Sequence, residues 1–127
     1  MANEATLRIR TDHPIDMIIA DTAFEKGSLM KMTDPRTVAA TSGVDDSFGG
    51  VLAREMLSGD GRTRAPCFRP GRGCVFDMVC SGPVTVGSPV IISGANQISG
   101  ADFKNWSNQF GKALETGTAG ETIQVEI

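Results

Sequence analysis

The chain closes on a run that alternates without a fault. Ile123, Val125 and Ile127 project to one side and Thr122, Gln124 and Glu126 to the other, the two-residue period of a strand buried on one face. A terminal segment frays unless pairing holds it, so this strand completes a sheet and the rest of the chain must supply its neighbours. The preceding stretch supplies one. Glu115-Thr116-Gly117-Thr118-Ala119-Gly120 sets two glycines among small polar residues, a composition suited to positive φ and local side-chain bonds to backbone. Lys112 to Glu115 and Thr122 to Ile127 therefore read as the two strands of a hairpin. Fifteen glycines and six prolines spread along 127 residues extend the logic, because frequent turns favour many short strands over long helices. The expected fold is all-β with at most one short helix, in one domain able to bury a core without metal or disulfide staples.

Further strands are expected over Asp16 to Ala20, Leu29 to Met32, Thr37 to Thr41 and Val90 to Ile92. Arg72 to Cys80 reads as a central strand, with Cys74, Phe76, Met78 and Cys80 on one face and Val75 and Val79 flanking Asp77 on the other. Val51 to Met56 is assigned to a strand, although Phe48, Val51, Leu52 and Met56 also suit helical spacing; Gly49 and Gly50 weigh against the helix. Ser58 to Gly73, with Arg62, Arg64, Arg69 and Arg72, reads as a long loop. Phe103, Trp106 and Phe110 fall at helical spacing between Ser99 and Gly111 and predict the single short helix. Gly27-Ser28 and Gly87-Ser88 both lead into apolar runs, a match too short to make a repeat. At the start, Leu7 and Ile9 alternate with Arg8 and Arg10, which predicts a short strand or an extended arm.

The chemistry sought in the sequence is sparse. His13 is the one histidine, and Cys67, Cys74 and Cys80 lack the Cys-x-x-Cys spacing of a zinc site. Cys74 and Cys80 on one strand would stand roughly 20 Å apart, beyond the ~7 Å a disulfide tolerates, so free buried thiols are expected. The adjacent Asp45 and Asp46 read as solvated loop residues. No catalytic residue, cofactor site or metal site is assigned, and the chain is not expected to be an enzyme. The weaker alternative is a cysteine-dependent enzyme using Cys67, its thiol acidified by neighbouring arginines. A net charge of −3 argues against direct nucleic-acid binding, which needs surplus cations. The longest apolar run, Met17 to Ala20, is far short of the ~20 residues of a membrane span, and no secretory signal is visible at the start. Arg62, Arg64, Arg69 and Arg72 have two readings, a solvated loop or a contact surface for carboxylates or phosphates. Trp106 likewise reads as a core cap or as a stacking platform of a glycan- or host-binding module.

Four segments, in order, carry a resemblance. They are Lys26-Gly27-Ser28-Leu29-Met30-Lys31; Asp46-Ser47-Phe48-Gly49-Gly50-Val51-Leu52-Ala53; Gly82-Pro83-Val84-Thr85-Val86-Gly87-Ser88-Pro89-Val90; and Gly111-Lys112-Ala113-Leu114-Glu115 with Gly120-Glu121-Thr122-Ile123-Gln124-Val125. Together they make the chain similar to the head-decoration, or cement, proteins of tailed bacteriophages, the broad lambda-type group. The arginine-rich loop and the Phe103 to Phe110 segment depart from that pattern and look like insertions. The resemblance implies a compact β-barrel-like or β-tulip domain over residues 13–127 behind a flexible N-terminal arm over residues 1–12. It also implies a structural virion protein, made in the host cytoplasm, that binds the outer surface of the mature capsid and stabilises it against internal DNA pressure by bridging major capsid protein subunits. Self-association, as a homotrimer at a symmetry axis, belongs to the same expectation. In that role Thr6, Leu7, Arg8, Ile9 and Arg10 are the expected capsid-binding residues, since an extended arm can add a strand to a sheet edge. Arg62, Arg64, Arg69 and Arg72 are the expected oligomer or capsid contact loop.

Overall fold

The computed structural model describes residues 3–43, 46–101 and 108–127. It is all-β, with eleven strands: β1 (Thr6–Ile9), β2 (Ile15–Ile19), β3 (Leu29–Asp34), β4 (Thr37–Ala40), β5 (Phe48–Leu52), β6 (Arg64–Phe68), β7 (Val75–Cys80), β8 (Pro89–Gly94), β9 (Gln97–Gly100), β10 (Gly111–Ala113) and β11 (Thr122–Glu126). The predicted hairpin at the C-terminus is there, β10 against β11, with Lys112 opposite Glu126. Ile123, Val125 and Ile127 are buried as the alternation requires.

The strands close into two rings that repeat one plan. In the first barrel the order is β2-β4-β3-β5-β6, β6 returning to pair with β2. In the second it is β7-β9-β8-β10-β11, since β7 pairs with both β9 and β11. Each detail recurs. The entry strand runs parallel to the third strand of its unit, through Ile18 and Ile19 against Thr37 and Val38 and through Val79 and Cys80 against Gln97 and Ile98. Each central hairpin has one bulge at the same place, Met32/Asp34 and Ile92/Gly94. Its turn contains one non-glycine residue at positive φ, Arg36 (55°) or Asn96 (56°). A type II turn precedes each hairpin. Ser28 N donates to Glu25 O at 3.2 Å and Ser88 N to Thr85 O at 3.0 Å, with Gly27 at φ 91° and Gly87 at φ 86°, the left-handed third position that glycine takes without strain. Phe24 and Met56 exchange backbone hydrogen bonds at 3.0 and 2.8 Å, as Val84 and Gly117 do at 2.9 Å. Two signals of this duplication stand in the sequence: the Gly-Ser lead-ins, and Asp16-Met17 in β2 against Asp77-Met78 in β7.

Several expectations are corrected. Ser58 to Gly73 is not one loop and not an insertion, because Arg64–Phe68 is β6, the counterpart of β11 that closes the first ring. Pro66 lies at the end of the β5–β6 ladder, where its carbonyl still accepts from Ala53 N at 2.9 Å, a place where a strand can do without one N–H. The strand expected at Val51 to Met56 lies earlier, at Phe48–Leu52. Ser99, the N-terminal bound of the expected helix, is in β9; Phe103 and Trp106 lie outside the described residues. Phe110 is buried and stacks on Phe48, ring centroids 3.9 Å apart.

That stack is part of the seam between the barrels. Every residue of β5 is buried, which follows from its having a barrel interior on one side and the second barrel on the other. Met17, Ile19, Met30, Val38, Leu52 and Met56 fill the first interior. Leu29, Phe48, Val51 and Phe68 join the cluster that runs into the second barrel through Phe76, Val90 and Ile123. Burying each such side chain contributes about 1.5–3 kcal/mol. Asn96, 1% exposed, adds a polar latch across the seam. Its Oδ1 accepts from Leu29 N at 2.9 Å, and its own N–H donates to Thr41 Oγ1 at 3.0 Å.

Candidate functional site

Strand β1 is where the expected arm residues lie. The alternation of Leu7 and Ile9 does make a strand, and its partner is in the same chain: β1 runs antiparallel to β7, Thr6 opposite Asp77, Leu7 opposite Phe76 and Ile9 opposite Val75. Arg8 Nε donates to Asp77 Oδ2 at 2.7 Å, with Nη2 of the same guanidinium at 2.6 Å. On its far side, Ala5 N donates to Gly27 O at 2.8 Å. A Cβ at Gly27 would stand 2.3 Å from the Ala5 carbonyl oxygen, so the chain passes there only because residue 27 is glycine. Residues Ala5 to Ile9 thus form a strap fastened to the first barrel at Gly27 and to the second along β7.

The strap leads into a polar knot. Arg72 Nη1 lies 2.5 Å from Asp12 Oδ2, and the Thr11 hydroxyl donates to the Arg72 carbonyl. The Arg72 guanidinium, and behind it the His13 N–H, hold the Asp12 carboxyl below its ordinary range. Arg10 lies 3.1 Å from His13 Nδ1 through Nη2, and its guanidinium sits 6.0 Å over the Phe68 ring, within cation–π reach. Between strap and first barrel runs a groove of about 250 Å³ with Leu7, Pro66 and Phe68 on its walls and Arg10 and Lys26 beside them. Ile9 is 54% exposed, between the exposed Arg8 and Arg10. The strap therefore exposes one large apolar side chain, Ile9, along with Thr6 and two arginines, Arg8 being tied to Asp77 and Arg10 lying over Phe68.

The four arginines expected to act as one loop are separated. Arg62 pairs with Asp60 at 3.5 Å, and Arg64 is opposite Ile18 at the start of β6. Arg69, beyond the other end of that strand, donates to the Gly49 carbonyl. Five residues of β6 put roughly 17 Å between the two ends. Arg72 alone joins the arm residues. Sequence reasoning missed this meeting because its signal, Asp12 with Arg72, spans most of the first barrel.

Cys67, Cys74 and Cys80 are free and buried. Burial pushes the Cys67 thiol up to about 12, outweighing Arg69 nearby. This corrects the idea of a thiol acidified by arginines, since desolvation penalises the thiolate more than one cation favours it. Among the described residues, no group of three His, Cys, Asp or Glu side chains is placed to hold a metal ion.

Fold and surface define a tandem-barrel, all-β protein with an N-terminal strap. A similar fold is found in a phage protein. The crystal structure of the head fiber gp8.5 N base in bacteriophage phi29 superposes with a TM-score of 0.56 at 14% identity, covering 89% of this chain and 91% of that one. No family model matches the sequence, and no curated protein matches it.

Proposed function

We propose that this chain is a structural protein of a phage virion, which binds the outer surface of the mature head and stabilises it against internal DNA pressure by bridging major capsid protein subunits. The observation that carries the reading is the likeness to a head fiber base, which extends through nearly the whole of both chains and so takes in both barrels. A protein that binds only the mature lattice stabilises it by mass action, and contacts to several subunits add avidity. The strap offers the contact: Thr6, Arg8, Ile9 and Arg10 are exposed, and an exposed isoleucine on a strand that carries two arginines suits an acidic capsid surface with a shallow pocket. Self-association as a homotrimer belongs to the same reading.

The test is cosedimentation with purified mature heads that lack the protein, followed by heating to release DNA. Binding to mature heads but not to unexpanded ones, with DNA release moved to higher temperature, is the expected result. Ile9→Asp should cut occupancy severalfold while circular dichroism stays that of the parent. Absence of binding to any head form would overturn the proposal. Unchanged occupancy by Ile9→Asp and by a chain lacking residues 2–11 would take the strap out of it.

A further inference from the structure

The duplication leaves one place filled in the second barrel and open in the first. Along β7, the edge that faces β9 is covered by β9 only at Val79 and Cys80. β1 covers the remainder, from Val75 to Asp77. Asp77 turns its backbone groups toward β1, because it lies opposite Gln124, whose carbonyl is taken by Leu114 N at 2.8 Å on the far side; opposed residues of an antiparallel pair face together or apart. The first barrel repeats this setting. β4 covers β2 only at Ile18 and Ile19. Asp16 lies opposite Pro66, whose carbonyl is taken by Ala53 N at 2.9 Å, so Asp16 also turns its N–H outward. No strand lies there among the described residues.

We infer that the edge of β2 around Asp16 is a strand-docking slot for an extended, basic segment of a partner protein, laid antiparallel as β1 is laid on β7. Charge supports that occupant. Asp16 stands where Asp77 stands, and Asp77 is the carboxylate that receives Arg8. The Asp16 side chain is exposed, and its carboxylate has no ion-pair partner among the described residues. The protein's own arm is committed to β7 and Gly27, so the segment comes from another chain. One side chain guards the slot: Arg36 Nη2 donates to the Asp16 carbonyl at 3.1 Å, standing in for the N–H that a docked strand would bring. Arg36 is exposed and can swing aside. Pro14, in the place of Val75, removes one donor, so recognition centres on Asp16. The inference does not rest on the capsid reading.

The experiment uses the full chain and a blocked peptide with the sequence of residues 4–11 as a model basic strand, followed by fluorescence anisotropy and amide hydrogen exchange. Saturable binding is expected, with slowed exchange at Asp16. Asp16→Lys should weaken it at least about tenfold through like-charge repulsion, and Arg36→Ala should tighten it severalfold by freeing the carbonyl. Three results overturn the inference: no binding; binding lost through Asp77→Lys but not Asp16→Lys, which means the peptide has displaced β1; or Asp16 protection that rises with protein concentration alone, which makes the occupant a second copy.

Discussion

The two barrels share a ladder and differ in what lies outside it. At equivalent turn positions with nearly the same φ, Asn96 is buried in the seam and Arg36 reaches over an open strand edge. At equivalent type II turns, Gly27 has the strap pressed against it, while a Cβ at Gly87 would meet nothing. The ring therefore fixes backbone geometry, and the neighbours of the ring fix which side chains that geometry carries. Each pair is a built-in control, since a substitution made in both barrels changes the same backbone position in two surroundings.

The largest single effect is expected at the paired bridge positions. Met56 is 2% exposed and closes one end of the first interior; its counterpart Gly117 has no side chain, and a Cβ there would stand 2.6 Å from Ile123 Cγ2. Met56→Ala should lose about 3–4 kcal/mol through the cavity it leaves, and Gly117→Ala about 1–3 kcal/mol through overpacking. Urea midpoints measure both. If Met56→Ala proved nearly neutral, the two ends would not be closed by different means.

Next come the glycines of the type II turns. Gly87→Ala should cost only the left-handed backbone, about 1 kcal/mol. Gly27→Ala adds the collision with Ala5 and should cost about 2–3 kcal/mol. Accelerated exchange of the Ala5 amide is expected only in the Gly27 variant. Equal costs, with Ala5 undisturbed in both, would mean that the strap does not lean on the first barrel.

The turn pair follows. Asn96→Ala strands the buried Leu29 N–H and should cost about 2 kcal/mol. Arg36→Ala removes one exposed contact and should cost less than about 0.5 kcal/mol. A cost at Arg36 equal to that at Asn96 would contradict the asymmetry of the seam.

How much of this was legible depends on where each strand's partners lie. β11 could be read because one face meets core and the other solvent, so Ile123, Val125 and Ile127 print a period of two. β5 has core on both faces, so Phe48-Gly49-Gly50-Val51-Leu52 shows no period, and its bounds slipped. β6 was hidden by Pro66 and by the arginines at its ends, which have the composition of a loop. The site divides in the same way. Leu7 and Ile9 announce a strand from local pattern, but nothing local says that the acceptor is β7. Arg8 with Asp77 is a contact made by the closed ring. Asn96 in a turn reads as a turn residue, and only the presence of the first barrel makes it a seam residue. The repeat was visible in Asp-Met and Gly-Ser pairs, yet two dipeptides cannot be told from chance until the ladders are laid side by side.

The smallest expected effect is one of pH, at the turns before the closing strands. In the second barrel Glu121 Oε1 accepts from Thr118 N at 2.7 Å and from Thr118 Oγ1 at 2.8 Å, and these bonds hold its carboxyl below the ordinary glutamate value. In the first barrel Asp60 spends Oδ1 on Arg62 N at 3.0 Å. A depressed folded value means that the stabilisation is fully present above the unfolded value, ~4.3, and is lost as pH falls through the folded one. The urea midpoint should therefore decline on acidification below about pH 5. Glu121→Gln should remove part of that slope, since an amide oxygen still accepts from Thr118 but takes up no proton. Asp12→Asn, at the Arg72 knot, acts in the same direction, and the Thr118 amide shift separates the two, because only protonation of Glu121 should move it. A Thr118 amide that keeps its shift through the acid range in the parent chain would show that this carboxylate does not anchor the turn.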